Sequence, residues 1–159
     1  GKNMQDANYK MMKTNKQLIG IDLFAGAGGL SLGAEMAGIS MRYAVEADAY
    51  AAASYKRNFK NATVFCEDIR KLSADKLNTQ PVFIIMGGPP CQGFSLSNTK
   101  TRDMSNPNNR MFEEFLRFVD KIAPTWFVFE NVYGLTKFKN GEENIQNHIE
   151  NRFRDIWKL

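Results

Sequence analysis

The chain has 159 residues, 43% of them hydrophobic and 12% aromatic, which suits one domain with its own core. No run approaches the ~18 apolar residues of a membrane span, and the polar N-terminus has no signal-peptide core, so a cytoplasmic setting without a membrane partner is expected. Net charge is +4, but Lys2, Lys10, Lys13 and Lys16 against Asp6 place +3 of it in residues 1–17, leaving the remainder far short of the Lys/Arg excess of a self-sufficient duplex-gripping surface.

Residues 1–17 lack periodicity and are expected to form a flexible basic tail, with residues 18–159 forming a partial catalytic or cofactor-binding domain. From Leu18 onward, apolar runs alternate with helix-like stretches, the pattern of a parallel sheet with helices on both faces. Strands are predicted at Leu18–Phe24, Met41–Ala47, Thr63–Cys66, Val82–Met86 and Trp126–Glu130. Helices are predicted at Leu30–Ala37, Ala49–Asn58 and Met111–Ile122, the last from the spacing of Phe112, Phe115, Leu116 and Val119, with Pro124 ending it. Cys66 reads as a core residue, and with Cys91 in a dissimilar setting no disulfide is expected. Ser97–Arg110 is a polar connection. Ile145, Ile149, Phe153, Ile156 and Trp157 keep helical spacing, so Glu142–Leu159 reads as an amphipathic helix without a cap, as if the architecture continued beyond it.

Chemistry-bearing residues cluster at the predicted strand ends. Asp22-Leu23-Phe24-Ala25-Gly26-Ala27-Gly28-Gly29 closes the first strand and opens the first helix, where glycines let backbone approach a ligand. A dinucleotide fingerprint would need glycine at position 31, which is Ser31, so a pyrophosphate cradle fits poorly. A carboxylate at the second strand's end, Glu46, can accept ribose hydroxyls. Asp68 at the third can accept an adenine amino group, with Ile69 against the ring. Alone, Asp68 is more often a helix cap. At the fourth strand stands Gly87-Gly88-Pro89-Pro90-Cys91-Gln92-Gly93-Phe94-Ser95, and at the fifth Glu130-Asn131-Val132. A thiol and a carboxyl at neighbouring strand mouths can attack and protonate one flat heterocycle.

In this order, Asp22 to Gly29, Glu46, Asp68-Ile69, Pro89-Pro90-Cys91-Gln92 and Glu130-Asn131-Val132 closely resemble the first six motifs of the cytosine-C5 DNA methyltransferases, the fifth being matched more loosely around Asn109 to Arg117. The resemblance covers residues 18 to about 135. It implies an α/β, Rossmann-like S-adenosylmethionine-dependent fold, cut before the target-recognition domain, and transfer of a methyl group to C5 of cytosine in DNA. The implied catalytic residues are Cys91, Glu130, Asn131 and Pro90. Those implied to hold S-adenosyl-L-methionine, or its product S-adenosyl-L-homocysteine, are Asp22, Phe24, Ala25, Gly26, Gly28, Gly29, Leu30, Glu46, Ala47, Asp68, Ile69, Gly88 and Met111. No metal site is implied. Ala47 stands where many members place a large side chain, and Met111 where leucine is usual. Arg152 and Arg154 imitate the spacing of a later Gln-x-Arg-x-Arg element, but Glu150 replaces the glutamine and the segment reads as helix.

The implied partner is double-stranded DNA with one cytosine rotated out of the stack. The missing recognition part would act in cis or as a second subunit. Cys91 would add to C6 of the ring, and Glu130 would protonate N3, a role that asks for burial. The alternative function is a non-catalytic S-adenosylmethionine-binding module or one subunit of a split enzyme, and for this chain alone the missing elements favour it. A nucleotide-dependent oxidoreductase is disfavoured by Ser31 and by the lack of a C-x-x-C partner for Cys91.

Overall fold

The computed structural model describes residues 17–77, 81–90, 111–130, 139–140, 143–144 and 150–155. Five strands, β1 (Leu18–Leu23), β2 (Ile39–Val45), β3 (Thr63–Phe65), β4 (Ile84–Gly87) and β5 (Trp126–Phe129), form one sheet in the order β3-β2-β1-β4-β5, with every pair parallel. Helices α1 (Gly29–Met36), α2 (Ala49–Asn58) and α3 (Met111–Ile122) connect them, with two 3-10 turns, Ile69–Lys71 and Ala74–Leu77, between β3 and β4. A two-stranded antiparallel ladder joins β6 (Lys139–Asn140) and β7 (Glu143–Asn144).

Both faces of the central strands are covered, which explains their near-continuous apolar sequences. Ile21 and Leu23 of β1 pack with Ile85 of β4 against Phe115, Phe118 and Val119 of α3, and Leu72 and Leu77 close that layer. On the other face, Ala34 of α1 meets Met41, Ile84 and Met86, while Tyr55 of α2 and Phe59 after it pack on Ala44 and Ala25. Asp22 and Ser31 are the buried polar residues of this layer. From β1 the chain works outward to β3, then returns across β1 to β4. The order therefore reverses between β1 and β4, and in open parallel sheets the crevice beyond the strand ends at such a reversal is where ligands bind.

The five predicted strands and three predicted helices are all present, with Ala49–Asn58 and Met111–Ile122 as expected and the other ends within two residues. The first strand stops at Leu23 because Phe24 takes a left-handed backbone (φ 58°), and the second starts at Ile39 because Gly38 (φ 88°) ends the turn after α1. Two expectations fail. Cys66 is exposed rather than core: β3 ends at Phe65, and the next residue already stands on the rim. The predicted helix over 142–159 is interrupted, since Glu143–Asn144 is a strand paired with Lys139–Asn140 and the described helix covers 150–155. Two residues, Gly141 and Glu142, connect the paired strands, and a glycine at the first of them is a hairpin-turn signal that outweighs the weaker helical spacing of its flank.

Helix 150–155 docks on the sheet through one ring. Phe153 stacks on Phe127 at 4.5 Å between centroids and meets Phe129 edge-on at 5.8 Å. Phe115 of α3 joins this cluster at 5.3 Å from Phe129. Arg152 reaches Glu113 of α3 at 3.2 Å. Its neighbourhood is thus a packing interface, consistent with the helical reading of this segment. The opposite side of β5 differs: Trp126 is 61% exposed and Val128 45%.

Candidate functional site

The site begins where β1 ends. Its chain leaves the sheet through three left-handed positions, Phe24 (φ 58°), Gly26 (φ 55°) and Gly28 (φ 104°). At Gly28, the residue before α1, a Cβ would run into the ring of Phe59, so glycine is required there by conformation and by space. Phe24 holds the same region without being glycine, a state that costs of order 1–3 kcal/mol and is concentrated at ligand-binding positions.

Glu46, just past β2, braces this turn. Its Oε1 accepts from the Gly26 N–H at 2.9 Å and its Oε2 from the Asp48 N–H at 2.8 Å. Each oxygen keeps acceptor capacity for a further donor. Asp48 in turn caps α2 by accepting from Ala51 N–H at 2.8 Å. Past β3, Asp68 is both things the sequence allowed. It caps the 3-10 turn, accepting from Arg70 N–H at 3.0 Å, and it lines the crevice. The Arg70 guanidinium also bonds its carboxylate (2.6–3.1 Å), and these hydrogen bonds hold Asp68 down at about 2.

Between these strand ends lies a cavity of about 420 Å³ lined by Phe24, Val45, Glu46, Ala47, Glu67, Asp68, Ile69, Arg70, Gly88, Pro90 and Met111. This volume is within the range of small-molecule sites. Eight of the residues singled out from sequence meet here: Phe24, Glu46, Ala47, Asp68, Ile69, Gly88, Pro90 and Met111. Asp22, Ala25, Gly26, Gly28, Gly29 and Leu30 stand outside the lining, in β1, its turn and the start of α1. Ala25 packs in the core with Tyr55 and Phe59, and Leu30 against Ala34 and its neighbours.

Asp22 is the most heavily buried charged group described. Only 1% of it is exposed, and its Oδ1 has no hydrogen-bond partner. Oδ2 accepts from the Ser31 hydroxyl at 2.6 Å, and Ser31 Oγ lies 2.7 Å from the Tyr55 hydroxyl. Burial pushes the Asp22 carboxyl up to about 6; the Ser31 bond opposes this, while the carboxylates of Glu46 and Glu130 add to it.

At the end of β4, Gly88 leads to Pro89 and Pro90. Glu130 continues the β4–β5 ladder, its N–H donating to Gly87 O at 2.9 Å. Its carboxyl lies against the same segment: a Cβ added to Gly88 would be 3.2 Å from Glu130 Oε2. Glu130 is exposed, so the burial expected of an acid is not supplied by the described residues. Cys91 and Asn131 lie outside the described residues, as does the polar connection 97–110.

Four residues of this region were not singled out from sequence as part of a site. Arg70 and Glu67 flank Asp68-Ile69, where spacing alone could have suggested them. In the sequence Ser31 stands out only as the residue where a dinucleotide fingerprint needs glycine, and Tyr55 only as an aromatic on a helix. Only the fold brings these two to Asp22.

Comparison with known proteins gives a consistent result. Residues 18–156 match the family model described as C-5 cytosine-specific DNA methylase. Over 139 residues the chain is 42% identical to the type II methyltransferase M.DdeI of Desulfomicrobium norvegicum, covering 86% of this chain and 33% of that protein. It is 42% identical over 128 residues to the type II methyltransferase M.XorII of Xanthomonas oryzae, covering 77% of this chain and 30% of that one. Among solved structures, a DNA modification methyltransferase encoded within an Escherichia coli prophage superposes with a TM-score of 0.72 at 35% identity, covering 87% of this chain and 38% of that one. The chain spans about a third of the length of these curated relatives.

Proposed function

The chain belongs to the C-5 cytosine-specific DNA methylase family, and we propose that it is the cofactor and catalytic part of an enzyme that methylates C5 of cytosine in DNA through a covalent Cys91 adduct. The observation that carries this reading is the gathering of Phe24, Glu46, Asp68, Ile69, Gly88 and Pro90 around one cavity at the β1/β4 reversal, with Glu130 beside Gly88.

The residues present suit S-adenosylmethionine. Glu46 retains acceptor capacity for ribose hydroxyls, Asp68 and Ile69 offer an acceptor and an apolar wall for adenine, and Phe24 and Met111 supply apolar contact. Asp22 has one uncommitted oxygen for a donor. Gly26, Gly28, Gly29, Ala25 and Leu30 form the turn and helix start that would hold the methionine end. When bound, this molecule supplies an electrophilic methyl group on a sulfonium.

The chain's own residues prepare the acceptor. Cytosine C5 is too weak a nucleophile unaided. Addition of the Cys91 thiolate to C6 forms a C–S bond and moves electron density toward C5, while Glu130 delivers a proton to N3 as charge develops there. Pro89 and Pro90 restrict the backbone before Cys91 and limit its wandering. Asn131 orients the exocyclic amine. Once C5 carries the methyl group, loss of the C5 proton, departure of the Cys91 sulfur as thiolate and return of the N3 proton to Glu130 restore the ring. The cytosine must be out of the duplex for any of this.

Residues 18–159 carry a net charge of only +1, so the isolated 159 residues are expected to bind DNA weakly and to transfer little or no methyl, with the recognition part supplied in cis or as a second subunit. For this chain alone, a cofactor-binding module is therefore the second reading. DNA fluorinated at cytosine C5 tests the first: with S-adenosylmethionine, the protein carrying this chain should form an adduct that survives denaturation, and Cys91→Ser should form none. An undiminished adduct in Cys91→Ser would reject Cys91 as the nucleophile.

A further inference from the structure

Glu46 and Asp68 line the same cavity with their acceptor positions in different states. Each oxygen of Glu46 accepts one backbone N–H. Each oxygen of Asp68 accepts two contacts, all from Arg70: Oδ1 from the backbone N–H at 3.0 Å and from Nε at 3.0 Å, Oδ2 from Nε at 3.1 Å and from Nη2 at 2.6 Å. A carboxylate has about four lone-pair positions, so none on Asp68 is left for a ligand donor. Three of the four contacts come from the guanidinium of a residue that itself lines the cavity.

We infer that Arg70 is a specificity-determining residue that competes with the ligand's base: its guanidinium occupies the Asp68 acceptors and must swing away before the exocyclic amine of adenine can donate to them. This rests on the S-adenosylmethionine reading given above, in which Asp68 receives that amine. The pair is able to open. The Arg70 and Asp68 side chains are 50% and 28% exposed, and an ion pair at such exposure is far weaker than a buried one. When the guanidinium leaves, Asp68 keeps the Arg70 backbone N–H on Oδ1 and still caps the 3-10 turn, while Oδ2 is freed altogether. The departing cation has a second carboxylate to face, since Glu114 of α3 also favours the Arg70 charge.

Competition for one acceptor gives effects of opposite sign on two bases. Adenine presents a donor at its sixth position, and Arg70 opposes it. Hypoxanthine presents an oxygen there, which a bare carboxylate repels; the Arg70 fork between them satisfies both. Arg70→Met keeps the stem and removes the fork. It should tighten S-adenosylhomocysteine about two- to fivefold, the scale of an exposed ion pair, and weaken the hypoxanthine counterpart, S-inosylhomocysteine, by a similar factor. The gain should shrink in about 0.5 M salt, which screens the pair in the parent. In an Asp68→Asn background, Arg70→Met should lose most of its effect, because the charge that holds the guanidinium is gone.

The protein carrying this chain is titrated calorimetrically with both nucleosides, as parent, Arg70→Met, Asp68→Asn and the double variant, and ¹⁵N-labelled arginine reports the Arg70 Nε–H with and without ligand. Expected are the opposite changes in affinity, and an Nε–H that exchanges slowly with water until S-adenosylhomocysteine releases it. Weaker or unchanged S-adenosylhomocysteine binding in Arg70→Met overturns the inference and leaves the cofactor reading standing. Equal gains for both bases overturn the specificity role. An Nε–H signal identical in parent and Asp68→Asn overturns the ion pair itself. Failure of both parent and Arg70→Met to bind S-adenosylhomocysteine overturns the cofactor reading and the ligand half of the inference, while the Nε–H arm still decides the pair.

Discussion

At the scale of single residues, the site is built on carboxylates whose neighbours differ. Glu46 clamps two backbone N–H groups that belong to the turn after β1 and the start of α2. Glu46→Gln keeps the size but loses one acceptor, and should weaken S-adenosylhomocysteine binding about tenfold or more in calorimetry. Asp22 has the opposite energetics. Its folded carboxyl stands at about 6 against an ordinary 3.8, so the folded state holds the proton more tightly. That contribution is full below about 3.8 and lost as pH rises through about 6, a change of about 3 kcal/mol. Asp22→Asn should therefore be more stable than the parent at pH 7.5, by about 1–3 kcal/mol in urea denaturation, and gain nothing below pH 4. A parent stability that rises between pH 4 and 6 with no excess in Asp22→Asn would contradict this. Glu46 and Asp68 could be found from sequence because each follows an apolar run at a strand end. Ser31 and Tyr55 could not be tied to Asp22, because side chains 9 and 24 positions apart meet only when two helices lie on one sheet face.

At the scale of elements, α3 shows how much periodicity can determine. Its sequence places Phe112, Phe115, Leu116 and Val119 on one stripe, and all four are buried. Phe115 touches Phe127, Phe129 and Phe153, so Phe115→Ala should cost about 3–5 kcal/mol and loosen helix 150–155 along with α3. Accelerated amide exchange in 150–155 of that variant is the measurement. Where two signals compete, periodicity is less decisive. The apolar spacing of 145–157 suggests one long helix from Glu142, yet Gly141 favours a hairpin, and the β6–β7 ladder over 139–144 takes the place of that helix's first residues. Strand ends were misplaced for a similar reason: left-handed positions at Phe24 and Gly38 terminate elements, and only the second is a residue type that advertises it. The turn itself makes a sharp prediction. Gly28→Ala combines a left-handed φ with a collision against Phe59, and should lower stability by more than the ~1 kcal/mol of an ordinary glycine replacement, seen as a fall in Tm.

At the scale of the whole molecule, the sheet's two edges are unlike. β3 is three residues long, whereas β5 presents Trp126 and Val128 to solvent beside its free edge, among the described residues. An exposed apolar strand of this kind favours self-association. Trp126→Lys should therefore raise the concentration at which the chain remains monomeric in sedimentation, without altering S-adenosylhomocysteine affinity. The sheet order also governs timing. β1 lies in the middle of the sheet, yet one of its neighbours, β4, arrives only after β2, β3 and everything between them, and Glu130 follows α3. During synthesis the first glycine turn leaves the ribosome long before the strand that completes its crevice. Such distant parallel pairings form slowly, and until β4 inserts, the apolar flank of β1 has no permanent cover. The nascent chain thus passes through a stage in which that flank is open to wrong pairings, the hazard of sheets whose strands meet late.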